Sequence, residues 1–119
     1  MVTKKDVVWH LGDVAWGKPA LLKALPRLNG IKKLVMGNHD HYSTQTYLDV
    51  GFSKLYGIAQ LKTGEVLSHV PLHPTQLQER WTLNIHGHLH SRVVDGILYR
   101  NVSCERINFT PISYEELRV

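Results

Sequence analysis

Short runs of apolar residues, separated by glycine, asparagine and aspartate, set the pattern of this chain. Residues 6–11 form a valine-containing run that stops at Gly12 and Asp13, which predicts a buried strand followed by a loop. Residues 31–36 form a second run of this kind and stop at Gly37. Between the runs, leucines recur at helical spacing at positions 21, 22, 25 and 28. The pattern predicts a strand, a helix and a parallel strand joined by a right-handed crossover.

The two ends of this helix can also be predicted. Pro19 has the fixed φ that suits a first helical turn, and Asn29-Gly30 is a stop signal. We expect Pro26 to kink or shorten the helix, because proline cannot donate a backbone hydrogen bond.

The second half of the chain has the pattern of a mixed sheet. Residues 54–61 and 65–70 flank the turn sequence Lys62-Thr63-Gly64, which predicts a hairpin. Residues 81–85 predict another strand, and Asp95-Gly96 predicts a second hairpin turn between residues 93–94 and 97–99. No repeat or linker interrupts the sequence, so we expect one α/β domain over residues 1–119.

Composition and charge narrow the class of protein. The 119 residues are 43% hydrophobic and 20% charged, which is ordinary globular usage. No apolar run approaches the length of a membrane span, and residues 1–6 lack the apolar stretch of a signal peptide, so we expect a cytoplasmic protein. Cys104 is the single cysteine and excludes disulfides within the chain. The net charge of +4 favours an anionic substrate and is compatible with nucleic acid.

Polar residues with metal-binding chemistry follow the predicted strands. The candidates are Asp13, Asn38, His39, His69, His88 and His90. Because ligands bind at the carboxyl ends of strands in open α/β sheets, we expect these loops to converge. A mixture of carboxylate, amide and imidazole suits zinc, manganese, iron, cobalt or nickel better than calcium or magnesium.

A second arrangement uses histidines alone. His86, His88 and His90 alternate along the chain, so they would lie on one face if the segment stayed extended. Such a face could hold one zinc ion in a mononuclear hydrolase or lyase. This hypothesis leaves Asp13 and Asn38 unexplained.

Four segments in order resemble the motifs of calcineurin-like metallophosphoesterases, and most closely those of small bacterial and phage members. The segments are Gly12-Asp13-Val14-Ala15-Trp16-Gly17, Gly37-Asn38-His39-Asp40, Ser68-His69-Val70-Pro71 and Gly87-His88-Leu89-His90. Each is weak alone, but four in order, each after a predicted strand, are specific.

The resemblance implies a fold, a chemistry and a role for each candidate. The fold is a two-layered β-sandwich flanked by helices, and the reaction is hydrolysis of a phosphodiester or phosphomonoester by a metal-activated hydroxide. Asp13 would bridge two metal ions. Asn38, His69 and His88 would complete the second metal site, and His90 would serve the first. His39 would stabilise the phosphate or protonate the leaving group.

One motif of the family is absent from this sequence. The opening Asp-x-His motif contributes two ligands to the first metal ion, and Asp6 and His10 do not have its spacing. We therefore expect a weak or empty first site, with His10, His41 and His73 as spare histidines. The shortened amino end should expose a sheet edge and favour a homodimer. A further hypothesis is a metal-binding remnant without turnover.

Overall fold

A computed structural model describes residues 1–15, 17–78, 80–92, 94 and 96–118, with the backbone only at residue 118. The chain divides into two compact units, Met1–Gly57 and Ile58–Val119. We call them the N-terminal unit and the C-terminal unit.

The N-terminal unit is built on a three-stranded parallel sheet. Its strands are β1 (Val7–His10), β2 (Ile31–Val35) and β3 (Phe52–Tyr56), in the order β1-β2-β3. The strands predicted at residues 6–11 and 31–36 correspond to β1 and β2, and their parallel pairing is confirmed. Val7 lies opposite Ile31 in the register, so β1 and β2 end close together, before Gly12-Asp13 and Gly37-Asn38.

The predicted helix lies between these strands and is shortened where the sequence indicates. Helix α1 (Lys18–Ala24) begins with Pro19 in its first turn, and a 3₁₀ turn (Leu25–Arg27) that contains Pro26 follows it. Leu21 and Leu25 are buried against the sheet. They belong to a core cluster whose members are Leu21, Leu25, Leu34, Tyr47, Val50 and Phe52.

Helix α2 (Thr44–Asp49) has no counterpart among the sequence predictions. Ser43 caps it by accepting a hydrogen bond from the backbone N–H of Thr46 at 3.2 Å. Only one residue of α2, Tyr47, is buried. The helix has no apolar stripe to reveal it, because a single buried tyrosine joins it to the core.

The C-terminal unit contains a four-stranded mixed sheet. Its strands are β4 (Ala59–Gln60), β5 (Glu65–Ser68), β6 (Leu83–His86) and β7 (Tyr99–Asn101), in that order. β4 and β5 are antiparallel, and the other two pairs are parallel. The predicted turn joins β4 to β5, where Gly64 has a φ of 100° that favours glycine.

One predicted strand is wrong in its extent. Residues 54–61 are not one strand, because β3 ends at Tyr56 and β4 begins at Ala59. β3 pairs with β2, whereas β4 pairs with β5. The break at Gly57 therefore separates strands of two different sheets.

Two short helices complete the C-terminal unit, α3 (Pro74–Leu77) and α4 (Tyr114–Arg118). The predicted hairpin turn at Asp95-Gly96 includes residues 93 and 95, which lie outside the described residues. Beyond it, β7 runs parallel to β6. No helix in the described part of the chain is long and apolar enough to cross a bilayer. The α/β class with helices beside parallel and mixed sheets is confirmed.

Candidate functional site

In the N-terminal unit, the loops after β1 and β2 are joined at Asp13. The Oδ1 atom of Asp13 accepts a hydrogen bond from the backbone N–H of His39 at 2.9 Å. Asn38 precedes His39 in the same loop, and both residues are exposed. The structure therefore brings together the three candidates that lie in this unit.

The buried side chain of Asp40 connects the same two loops. The sequence analysis did not identify Asp40 as a functional residue. Its carboxylate accepts the backbone N–H groups of Asp13 at 2.6 Å, Val14 at 2.9 Å and Gly37 at 2.8 Å. Asp40 is only 7% exposed. A buried carboxylate is stabilised by several N–H donors, so Asp40 fixes the backbone that presents Asp13.

In the C-terminal unit, His69 and His88 present their ring nitrogens to each other. His69 follows β5 and is buried, and His88 follows β6. The Nε2 atom of His69 and the Nδ1 atom of His88 are 3.2 Å apart. The Gly87 N–H donates to the carbonyl oxygen of His69 at 2.9 Å, which holds the second loop against the first.

The spacing of these two nitrogens fits a shared metal ion. Two imidazole nitrogens bound to one tetrahedral ion at about 2.1 Å each lie about 3.4 Å apart. The 3.2 Å separation of the His69 and His88 nitrogens is close to that value. Two imidazoles placed in this way fit a divalent transition metal by donor type as well as by geometry.

Backbone strain is concentrated at the predicted site residues. Among the described residues, five that are not glycine have positive φ, and three of them are Asp13, His88 and His90, at 53°, 70° and 54°. Residues other than glycine rarely adopt this region, and such strain clusters at functional loops.

His90 contacts a different partner from His69 and His88. Its Nδ1 atom lies 2.6 Å from Oε2 of Glu105, in the 3₁₀ turn Cys104–Arg106. The amide of Asn101 donates to the carbonyl oxygens of His90 at 2.9 Å and Arg92 at 2.6 Å. Neither Asn101 nor Glu105 was predicted, because their roles depend on contacts across the unit.

The extended arrangement of His86, His88 and His90 is wrong. His88 and His90 have positive φ, so the segment does not continue as a strand beyond β6. His86 is fully buried, and its Nδ1 donates to the carbonyl oxygen of Gly87 at 2.9 Å. Burial lowers the pKa of His86, which favours the neutral ring. The ring lines a cavity of about 240 Å³ whose described lining includes neither His88 nor His90.

The three spare histidines have local roles in the structure. The Nε2 atom of His10 is buried without a hydrogen-bond partner among the described residues, and the ring packs edge-on against Phe52 at 5.2 Å. His41 contacts the carbonyl oxygen of His39 through Nδ1 at 2.9 Å. His73 caps helix α3 by accepting the Thr75 N–H at 3.2 Å.

Comparison with known proteins gives a family and two similar phage proteins. The family model of the calcineurin-like phosphoesterases matches residues 2–117. The chain is 33% identical to the Gene 66 protein of Mycobacterium phage D29, over 78% of this chain and 62% of the phage protein. It is 31% identical to the Gene 66 protein of Mycobacterium phage L5, over 79% of this chain and 61% of that protein. No solved structure matches.

These matches confirm the resemblance that the four motifs indicate. The family match covers almost the whole chain, whereas the chain spans about three fifths of the length of the two phage proteins. The matched residues include the strand-end loops with Asp13, Asn38 and His39. They also include the paired rings of His69 and His88. The chain therefore belongs to the calcineurin-like phosphoesterase family, whose chemistry is metal-dependent hydrolysis of phosphate esters.

Proposed function

We propose that this chain hydrolyses phosphodiester or phosphomonoester bonds with a divalent metal ion and a water nucleophile. The pair of ring nitrogens at 3.2 Å, from His69 and His88, is the observation that supports the proposal most directly. Their separation suits two ligands of one ion, and the family match supplies the reaction class. The family match spans residues 2–117, which supports one phosphoesterase domain over residues 1–119.

The proposed metal ligands are the residues that the four motifs supply. Asn38, His69, His88 and Asp13 would hold one ion, and Asp13 and His90 would serve a second, weaker one. The mixed oxygen and nitrogen donors favour manganese, nickel, zinc, cobalt or iron, as one or two ions. A divalent ion, when bound, neutralises phosphoryl oxygens and makes a water molecule more acidic.

His39 is the proposed acid that protonates the leaving oxygen. Its backbone N–H is fixed by Asp13 at 2.9 Å, while its imidazole is exposed to an incoming substrate. An imidazole can donate a proton near neutral pH, which suits this step. Asp13 thus has two roles, as a metal ligand and as the acceptor that positions His39.

The proposed substrates are small phosphate esters, either phosphodiesters or nucleotides. The His39 side chain and the neighbouring loop are open to solvent, which suits a small anionic ester. The net charge of +4 supports an anionic substrate and is compatible with nucleic acid. The proposed location is the cytoplasm.

We also propose a homodimer formed through the β1 edge. β1 is an outer strand of its sheet, and the opposed residues Val7 and Ile31 are 50% and 45% exposed. An outer strand with apolar neighbours is a template for pairing with a second copy. Light scattering after size exclusion should give twice the chain mass, and Val7→Lys should restore the monomer. A wild-type monomer at every concentration would exclude this dimer.

The proposed activity is tested with bis-p-nitrophenyl phosphate and p-nitrophenyl phosphate. Metal-stripped protein should be inactive and should regain turnover when Mn²⁺, Ni²⁺, Co²⁺ or Zn²⁺ is returned. Asp13→Ala and His39→Ala should each abolish this turnover. Tight metal binding without turnover under every condition would instead favour the metal-binding remnant.

A further inference from the structure

We infer that Glu105 is a positioning residue for His90 and orients the imidazole towards a metal ion. The inference rests on the proposed function, because it takes His90 as a ligand. It adds a residue to which neither the four motifs nor the family comparison gives a role.

The contact between the two side chains defines the tautomer of His90. Nδ1 of His90 lies 2.6 Å from Oε2 of Glu105. A carboxylate only accepts hydrogen bonds, so Nδ1 carries the proton and donates it to the contact. In the neutral ring, the lone pair is then on Nε2. Metal-binding histidines commonly have this arrangement, in which the second nitrogen donates to a carboxylate.

Exposure argues for an orienting role rather than a stabilising one. The side chain of His90 is 73% exposed and that of Glu105 is 35% exposed. Pairs of this kind contribute little to folding, because water screens them. An exposed ring without a partner would rotate freely, so the contact chiefly restricts the direction of Nε2.

The backbone of the loop is fixed by a separate residue. Asn101 at the end of β7 donates to the carbonyl oxygens of His90 and Arg92, and its own Oδ1 accepts the Ser103 N–H at 2.9 Å. Asn101 therefore holds the loop, while Glu105 holds only the ring. Removing the Glu105 carboxylate should change the ring orientation and leave the loop in place.

The test compares Glu105→Ala and Glu105→Gln with Glu115→Gln, which removes an exposed carboxylate from α4. The long-range ¹H–¹⁵N spectrum of the metal-free protein should show His90 mainly protonated at Nδ1 in the wild type and in Glu115→Gln. Glu105→Ala should shift His90 towards the other tautomer. Glu105→Gln should give an intermediate result, because its amide oxygen still accepts the hydrogen bond.

Calorimetry with Mn²⁺ and steady-state kinetics complete the test. Glu105→Ala should lose about 10- to 100-fold in metal affinity, mainly for the weaker ion, with a lower kcat and little change in KM. Glu105→Gln should recover part of the affinity. An unchanged His90 tautomer in Glu105→Ala, or a changed tautomer with unchanged Mn²⁺ affinity, would overturn the inference. A wild-type protein that binds no Mn²⁺ would instead overturn the proposed function.

Discussion

Oδ2 of Asp40 lies 2.6 Å from the backbone nitrogen of Asp13. The same oxygen accepts the Gly37 N–H at 2.8 Å, so one carboxylate joins the loop after β1 to the loop after β2. Asp13 in turn accepts the backbone N–H of His39. A buried side chain without a proposed ligand role therefore sets the geometry of the residues that have one.

Asp40→Asn should destabilise the protein by about 2 kcal/mol, because hydrogen bonds to a charged group are stronger than those to a neutral one. The amide keeps one oxygen, but its NH₂ group would face a backbone N–H that needs an acceptor. Urea unfolding measures the change. Asp49→Asn, on an exposed residue of α2, is the matched control and should be nearly neutral. Equal stability of the two variants would contradict this role of Asp40.

His69→Gln and His88→Gln should each weaken Mn²⁺ binding by more than about 100-fold, beyond the loss typical of residues that only support a ligand. Each substitution removes one nitrogen of the pair separated by 3.2 Å. Calorimetric titration of metal-stripped protein measures the affinity.

His73→Asn is the control for these two histidines. Asparagine is also a good helix cap, so this variant removes an imidazole and preserves the acceptor for the Thr75 N–H. Its Mn²⁺ affinity should match that of the wild type. If His73→Asn lost as much Mn²⁺ affinity as His69→Gln, the measured binding would not be specific to the site with His69 and His88.

The lowered pKa of His10 should make the free energy of unfolding decrease at acid pH. Burial lowers this pKa from its ordinary value of 6.5, Lys32 lowers it further, and Asp40 acts in the opposite direction. The folded protein thus binds the proton less tightly than the unfolded chain. Stability is retained above about pH 6.5 and decreases below it, by at most about 1.4 kcal/mol per pH unit for one proton.

His10→Leu should reduce this pH dependence, since leucine can pack against Phe52 without a buried ring nitrogen. The dependence should not vanish, because burial also lowers the pKa of His86. The free energy of unfolding between pH 5 and 8 is the measurement. Identical slopes for His10→Leu and the wild type would show that His10 is not the titrating group.

Tyr114→Phe should destabilise the C-terminal unit by about 1–2 kcal/mol. Glu65 is only 5% exposed, and its carboxylate accepts hydrogen bonds from the hydroxyls of Tyr114 and Thr63. The phenylalanine would leave a buried carboxylate with fewer donors. Hydrogen exchange of β5 should become faster. Unchanged exchange and unchanged unfolding would show that the Tyr114 hydroxyl does not stabilise Glu65.

The strand ends could be predicted because burial and chemistry change together there. β1, β2, β5 and β6 end at His10, Val35, Ser68 and His86, each close to a residue with metal-binding chemistry. Local sequence also predicted where Pro26 shortens α1. These features depend on neighbours within a few residues, so the pattern alone identifies them.

The structural features that the sequence did not predict depend on contacts between residues far apart in the chain. Asp40 acts on residues 26 and 27 positions earlier, and Glu105 on a residue 15 positions earlier. The break near Gly57 arises because β3 and β4 pair in different sheets, which no local propensity records. Helix α2 has one buried residue, Tyr47, and thus no apolar periodicity to reveal it.

Hydrolysis of bis-p-nitrophenyl phosphate as a function of free Mn²⁺ tests the central claim most directly. Wild type and His73→Asn should be inactive without metal and should reach the same saturating rate. His69→Gln should need far more Mn²⁺, and Asp13→Asn should stay inactive at every concentration. Turnover that is independent of added metal, or equal in all four proteins, would contradict a metal-dependent phosphoesterase built on Asp13 and His69.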